Sequence, residues 1–91
     1  MTYMLCRNRV ADFEQWKTVF SSHAEAHYDA GLRLVNIWRS IEEPNNVFFL
    51  FEIASTEKAL EFINNPEAAR AGEASGVIDG EYHFVEDAGR Y

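Results

Sequence analysis

Basic residues are scarce in this chain of 91 residues: eight Lys and Arg stand against fifteen Asp and Glu, for a formal net charge of −7. Nucleic acid is therefore a poor partner, because affinity for it comes mainly from neutralising phosphates. An anionic membrane surface is disfavoured on the same ground. Cys6 is the only cysteine, so no intrachain disulfide forms, and its place in a strand-like run makes a buried, inert thiol the expectation. No apolar run approaches the length that spans a membrane, and no basic head followed by an apolar signal core opens the chain, so a cytoplasmic protein is expected. Gly-rich phosphate loops, a nucleophile elbow and Cys/His metal knuckles are also missing. Apolar side chains, by contrast, are plentiful: 47% of the residues are hydrophobic and 14% aromatic. A single small domain over residues 1–91 buries only somewhat more than about 60% of its unfolded surface, so a second copy of the chain is a natural source of further cover.

The richest stretch is Val47-Phe48-Phe49-Leu50-Phe51-Glu52-Ile53, apolar at both parities except for Glu52. Successive side chains of a strand point to opposite faces, so this strand needs cover on both sides. Tyr3 to Val10 reads as a strand before it, with Tyr3, Leu5, Arg7 and Arg9 on one parity and Met4, Cys6, Asn8 and Val10 on the other. The two arginines suit either a sheet rim paired with carboxylates or an anion site. Asp12 and Gln15 form a capping box, and Gly31 suits a helix end, so one long helix is expected between them. Its apolar stripe is Phe13, Trp16, Phe20, Ala24 and His27. Leu32 to Ile41 reads as a strand that alternates Leu34, Asn36 and Trp38 against Arg33, Val35, Ile37, Arg39 and Ile41, and residues 42–46 as the turn of a hairpin. Ser55 caps a second helix that stops at Asn64-Asn65-Pro66. Pro66 to Ala71 restarts as helix, Gly72 to Gly80 reads as a loop, either a mobile lid or a long connection, and Glu81 to Asp87 is the last strand.

The order β-α-β-β-α-β is that of the ferredoxin-like α+β fold, a four-stranded antiparallel sheet with helices on one face. The third strand is greasy on the bare face too. Exposing two of its large side chains forfeits about 3–6 kcal/mol at ~1.5–3 each, against a total stability of only ~5–15 kcal/mol. A face-to-face homodimer is therefore expected.

At residue level, Phe49-Leu50-Phe51-Glu52-Ile53-Ala54-Ser55-Thr56-Glu57-Lys58-Ala59-Leu60-Glu61 resembles the dimeric α+β barrel superfamily, which includes the antibiotic-biosynthesis-type monooxygenases. The resemblance implies a dimeric barrel and a small organic molecule held between sheet and helices. It departs from the monooxygenase-like members at Ala54, where a tryptophan is frequent, and near Ile63, where a histidine is frequent. Haem chemistry is disfavoured by that departure, and no cofactor is expected.

Among ionisable residues, His27 falls inside an apolar stripe and Glu52 inside the apolar strand. Each suits proton transfer in a pocket, and each equally suits a structural role, His27 through a hydrogen bond and Glu52 by pairing with Arg7, Arg9 or Arg39. Trp16, Tyr28, Trp38 and His83 are candidate ligand contacts, beside Tyr82 and Phe84. His23 and His27 at i and i+4 have metal-gripping spacing without an evident third ligand, and no metal is expected. Two readings stand. One is a homodimeric barrel binding a small apolar or aromatic molecule, and, if an enzyme, a cofactor-independent monooxygenase or isomerase using His27 and Glu52. The other is a non-catalytic dimerisation or protein-interaction module.

Overall fold

The computed structural model describes residues 1–89. Four strands, β1 (Thr2–Val10), β2 (Leu32–Arg39), β3 (Asn46–Ile53) and β4 (Val77–Glu86), form one antiparallel sheet in the order β2-β3-β1-β4. Between β1 and β2 run α1 (Phe13–Ser22) and α2 (Ala24–Asp29); between β3 and β4 run α3 (Thr56–Ile63) and α4 (Pro66–Ala74). This is the expected ferredoxin-like arrangement. β3 lies in the interior of the sheet, and its alternate residues Val47, Phe49, Phe51 and Ile53 are buried with Trp16 and Ala59 of the helices.

The expected caps at Asp12 and Ser55 are in place: Asp12 accepts from the Gln15 amide at 3.2 Å and Ser55 from Lys58 at 3.1 Å. The capping box is half made, because the Gln15 side chain donates to the Ala74 carbonyl at 3.0 Å. Asn65 adds a further cap, accepting from Glu67 at 2.8 Å. Gly31 ends α2 at φ +77°, where a Cβ would also come within 2.9 Å of the Ala54 Cβ.

Three expectations need correction. First, the long helix is broken at His23. The Val19 carbonyl, which the His23 amide would bond in an unbroken helix, is taken instead by side chains: Ser22 Oγ donates to it at 2.6 Å and His23 Nδ1 at 2.8 Å. The His23 amide turns to the Phe20 carbonyl at 3.1 Å, tightening the turn. Second, β2 ends at Arg39 and does not alternate throughout. Leu34 pairs with Phe51 and Asn36 with Leu50, leaving Val35 as a bulge. Leu34 and Ile37 therefore share the helix-covered face, and Trp38 stands on the other, opposite Phe48. Third, residues 72–80 are not a loop. The alanines of α4 carry the helix through Gly72 to Ala74, Gly76 makes the turn at φ +80°, and β4 starts at once with Val77. Gly80 belongs to that strand, where any Cβ would lie 2.5 Å from the Asn8 side-chain amide.

The uncovered face carries Tyr3, Leu5, Phe48, Leu50, Trp38 and Val85 by register. Leu5, Trp38 and Val85 are 38–45% exposed. Ion pairs flank this patch. Arg7 Nε donates to Glu81 at 2.7 Å, Arg9 Nε to Asp79 at 2.9 Å, and Arg33 pairs with Glu52. No helix among the described residues is long and apolar enough to cross a membrane.

Candidate functional site

A cleft of about 240 Å³ opens between the sheet and the helices. Its floor is built by the inward parity of β1 and β3, with Cys6, Phe49 and Phe51 beside Trp16 of α1. Phe20, His27 and Phe62 form one wall. The opposite wall is the small-residue side of α4, through Ala68, Ala71 and Gly72, with Tyr82 of β4 next to it. Aromatic packing holds the floor: the Trp16 ring lies 4.6 Å from Phe20 and 5.5 Å from Phe49. With its amide oriented to satisfy both neighbours, Asn8 accepts from the Trp16 indole N–H at 3.3 Å and donates to the Arg7 carbonyl at 3.1 Å. A second groove of about 440 Å³ adjoins the cleft, shares His23, Phe62 and Ala68 with it, and carries charge on Asp29, Lys58, Glu61 and Glu67.

Two ionisable side chains of the cleft, His27 and Cys6, are neutral at pH 7. His27 sits among Phe20, Phe51 and Phe62, at 4.8, 5.2 and 5.4 Å between ring centres. Burial in that apolar cage, with a smaller contribution from nearby His23, pushes its pKa down to about 4. Burial pushes the Cys6 thiol up to about 12, so it is no nucleophile. Ser75, the one buried polar residue among the described residues, donates to the Gly72 carbonyl at 2.9 Å.

The residues singled out from sequence do not assemble in one place. His27 and Trp16 line the cleft. Glu52 points to the uncovered face, beside Arg33, so His27 and Glu52 are separated by the sheet within one chain. The partner is Arg33, where Arg7, Arg9 or Arg39 was expected; Arg39 instead stacks over the Phe13 ring at 4.0 Å. Trp38 is not a cleft wall, because the bulge at Val35 sets its direction. Tyr28 is 77% exposed and does not line the cleft; it borders an adjoining groove that shares Phe20, His27 and Leu32 with it and continues to Leu34 and Ile37. His83 stands on the uncovered face, 2.8 Å from Glu81. The Glu81 carboxyl is held below its usual range by His83 and then Arg7, and the Asp79 carboxyl by Arg9 and then Arg7. These carboxylates account for the paired arginines of β1. No third His, Cys, Asp or Glu joins His23 and His27 among the described residues, and the His23 Nδ1 is already engaged.

Asn8, Ser75 and Gly72 had not been singled out as cleft residues. Asn8 carried a usable signal: it is a polar residue on the parity of Met4 and Cys6. Gly72 and Ser75 carried none once that stretch read as a loop.

No known family profile matches the chain, and no curated protein does. Solved structures do. A provisionally named antibiotic biosynthesis monooxygenase from Bordetella bronchiseptica superposes with a TM-score of 0.77 at 12% identity, over 96% of each chain. One of the same name from Deinococcus radiodurans gives 0.69 at 13% identity, over 100% of this chain and 96% of that one. The chain shares its ferredoxin-like α+β fold with these antibiotic biosynthesis monooxygenase-like structures. At such identities the likeness establishes the ferredoxin-like fold of the chain alone. An uncharacterised NIPSNAP domain protein from Burkholderia xenovorans shares it too, with a TM-score of 0.68 at 12% identity over 97% and 95% of the two chains.

Proposed function

We propose that each chain binds a small, neutral aromatic molecule carrying a hydroxyl, ring in the cleft and hydroxyl on His27, and that two chains pack their uncovered sheet faces together. The observation that carries the first part is His27 itself: an imidazole in an aromatic cage, lining the cleft, neutral at pH 7, with no hydrogen bond to either ring nitrogen among the described residues. Such a group accepts a hydrogen bond and offers no charge, so a phenol suits it better than a carboxylate. With a pKa near 4 it is a weak base at neutral pH, which favours binding over proton abstraction.

The uncovered face supports the second part. Its centre is apolar and its charges are paired within the chain, so a second copy meets it without stranding a charge. Its exposed Leu5, Trp38 and Val85 are what such packing removes from water.

Binding is tested by equilibrium dialysis with 2-naphthol and naphthalene at pH 7. The expected result is one probe per chain, with His27→Phe weakening 2-naphthol about 3–10-fold, the worth of one neutral hydrogen bond, and sparing naphthalene. Equal affinity of both proteins for 2-naphthol would overturn it. The names of the structural neighbours favour a second reading, a cofactor-independent monooxygenase acting on the bound ring. Its signature is oxygen consumption with a phenolic substrate that disappears in His27→Phe.

A further inference from the structure

Gly72 is an anomaly within α4. It lies in the helix, where glycine is less stable than alanine because the unfolded chain gains freedom. Glycine usually earns such a place by a left-handed backbone or by a close neighbour. Gly72 has neither. Its φ is not positive, unlike Gly31 and Gly76, and a Cβ built on it meets no heavy atom within 4 Å beyond its chain neighbours and the backbone of its own helix. That empty space borders the cleft, across which lie the aromatic floor and His27. Gly80, which also borders the cleft, differs: Asn8 and the Arg7 carbonyl leave no room for a side chain there.

We infer that Gly72 is the size-determining residue of the cleft: the missing side chain leaves room for the second ring of a fused bicyclic ligand. This assignment rests on the reading of the cleft as a ligand site and adds the class of ligand, two fused rings over one. The mechanism is volume. A Cβ at position 72 enters space that no described residue beyond its own helix turn occupies, so the fold tolerates it and the ligand does not.

The test compares 2-naphthol with phenol by equilibrium dialysis on the wild-type chain, Gly72→Ala and Gly72→Leu. Gly72→Ala is expected to raise Tm by roughly 2–6 °C, from helix propensity alone. It is also expected to weaken 2-naphthol severalfold. In Gly72→Leu the loss for 2-naphthol is expected to reach about 10-fold or more, the scale on which a pocket rejects an extra methylene or two, with phenol changed less than about threefold. Should the leucine variant fail to fold, the alanine variant alone decides. Wild-type binding of 2-naphthol with unchanged affinity in the folded variants overturns the assignment of Gly72 and leaves the cleft reading intact. Equal losses for phenol and 2-naphthol also overturn the assignment. A wild-type chain that takes up neither probe overturns both.

Discussion

The two faces of the sheet are made by the same strands and behave differently. On one side of β3, Val47, Phe49, Phe51 and Ile53 meet helices and are buried. On the other, Phe48 and Leu50 stand among residues left partly in water, and Glu52 pairs with Arg33. One face holds a cleft in which His27 and Cys6 are neutral; the other holds an apolar patch flanked by charged, paired groups. Burial explains both. Where helices exclude water, a lone His or Cys sheds its charge, and where solvent reaches, Arg and carboxylate keep theirs and bond each other. The ligand is assigned to the first face and the second subunit to the other.

Substitutions on neighbouring residues of β3 separate the faces most strongly. Phe49→Ala is expected to cost about 3–5 kcal/mol in urea unfolding, since it opens a cavity under Trp16. Leu50→Asp, one residue along, is expected to leave the folded chain intact at high dilution and to abolish self-association. Equal destabilisation by both at every protein concentration would erase the distinction between the faces.

The pH dependence sharpens the same contrast. The His27 pKa is about 4 in the folded state, below the ordinary 6.5 of the unfolded chain, so the unfolded state binds more protons in that window. Stability contributed in this way is full above pH 6.5 and is lost as pH falls toward 4, by on the order of 1–2 kcal/mol once solvent access to the ring is allowed for. His27→Gln should flatten that window in unfolding curves taken between pH 4 and 7. Asp79 and Glu81, with lowered pKa values on the exposed side, lose their contribution only at more acid pH. A drop between pH 6.5 and 4 that survives His27→Gln would contradict the apolar cage.

Glu52→Gln is the smallest effect. An ion pair with an exposed arginine is worth about 0–1 kcal/mol, and the sheet separates it from the cleft. Dialysis with 2-naphthol should give the wild-type affinity.

Much of the fold was legible in the order of its elements. Capping residues at Asp12 and Ser55 and the greasy run of β3 are local signals, and the structure keeps them. What the sequence concealed were competitions between local options. Ser22 and His23 take the Val19 carbonyl and break a helix that periodicity alone continues. Val35 bulges, and every later residue of β2 changes face. Gly72 looks like a loop marker and is helical. The site suffered from the same causes. His27 was found because its stripe runs on past the break. Glu52 was paired with it because a strand apolar on both sides does not announce which parity the helices cover, and Trp38 was drawn in by an alternation that the bulge interrupts.

Sedimentation equilibrium at micromolar concentration and pH 7 tests the division of the sheet into a ligand face and a partner face most directly. The expected particle has twice the 10.5 kDa mass of the chain and falls to that mass in Leu50→Asp. A wild-type chain that is folded and sediments at 10.5 kDa would show that the apolar face stands in water unaided, and would contradict the division.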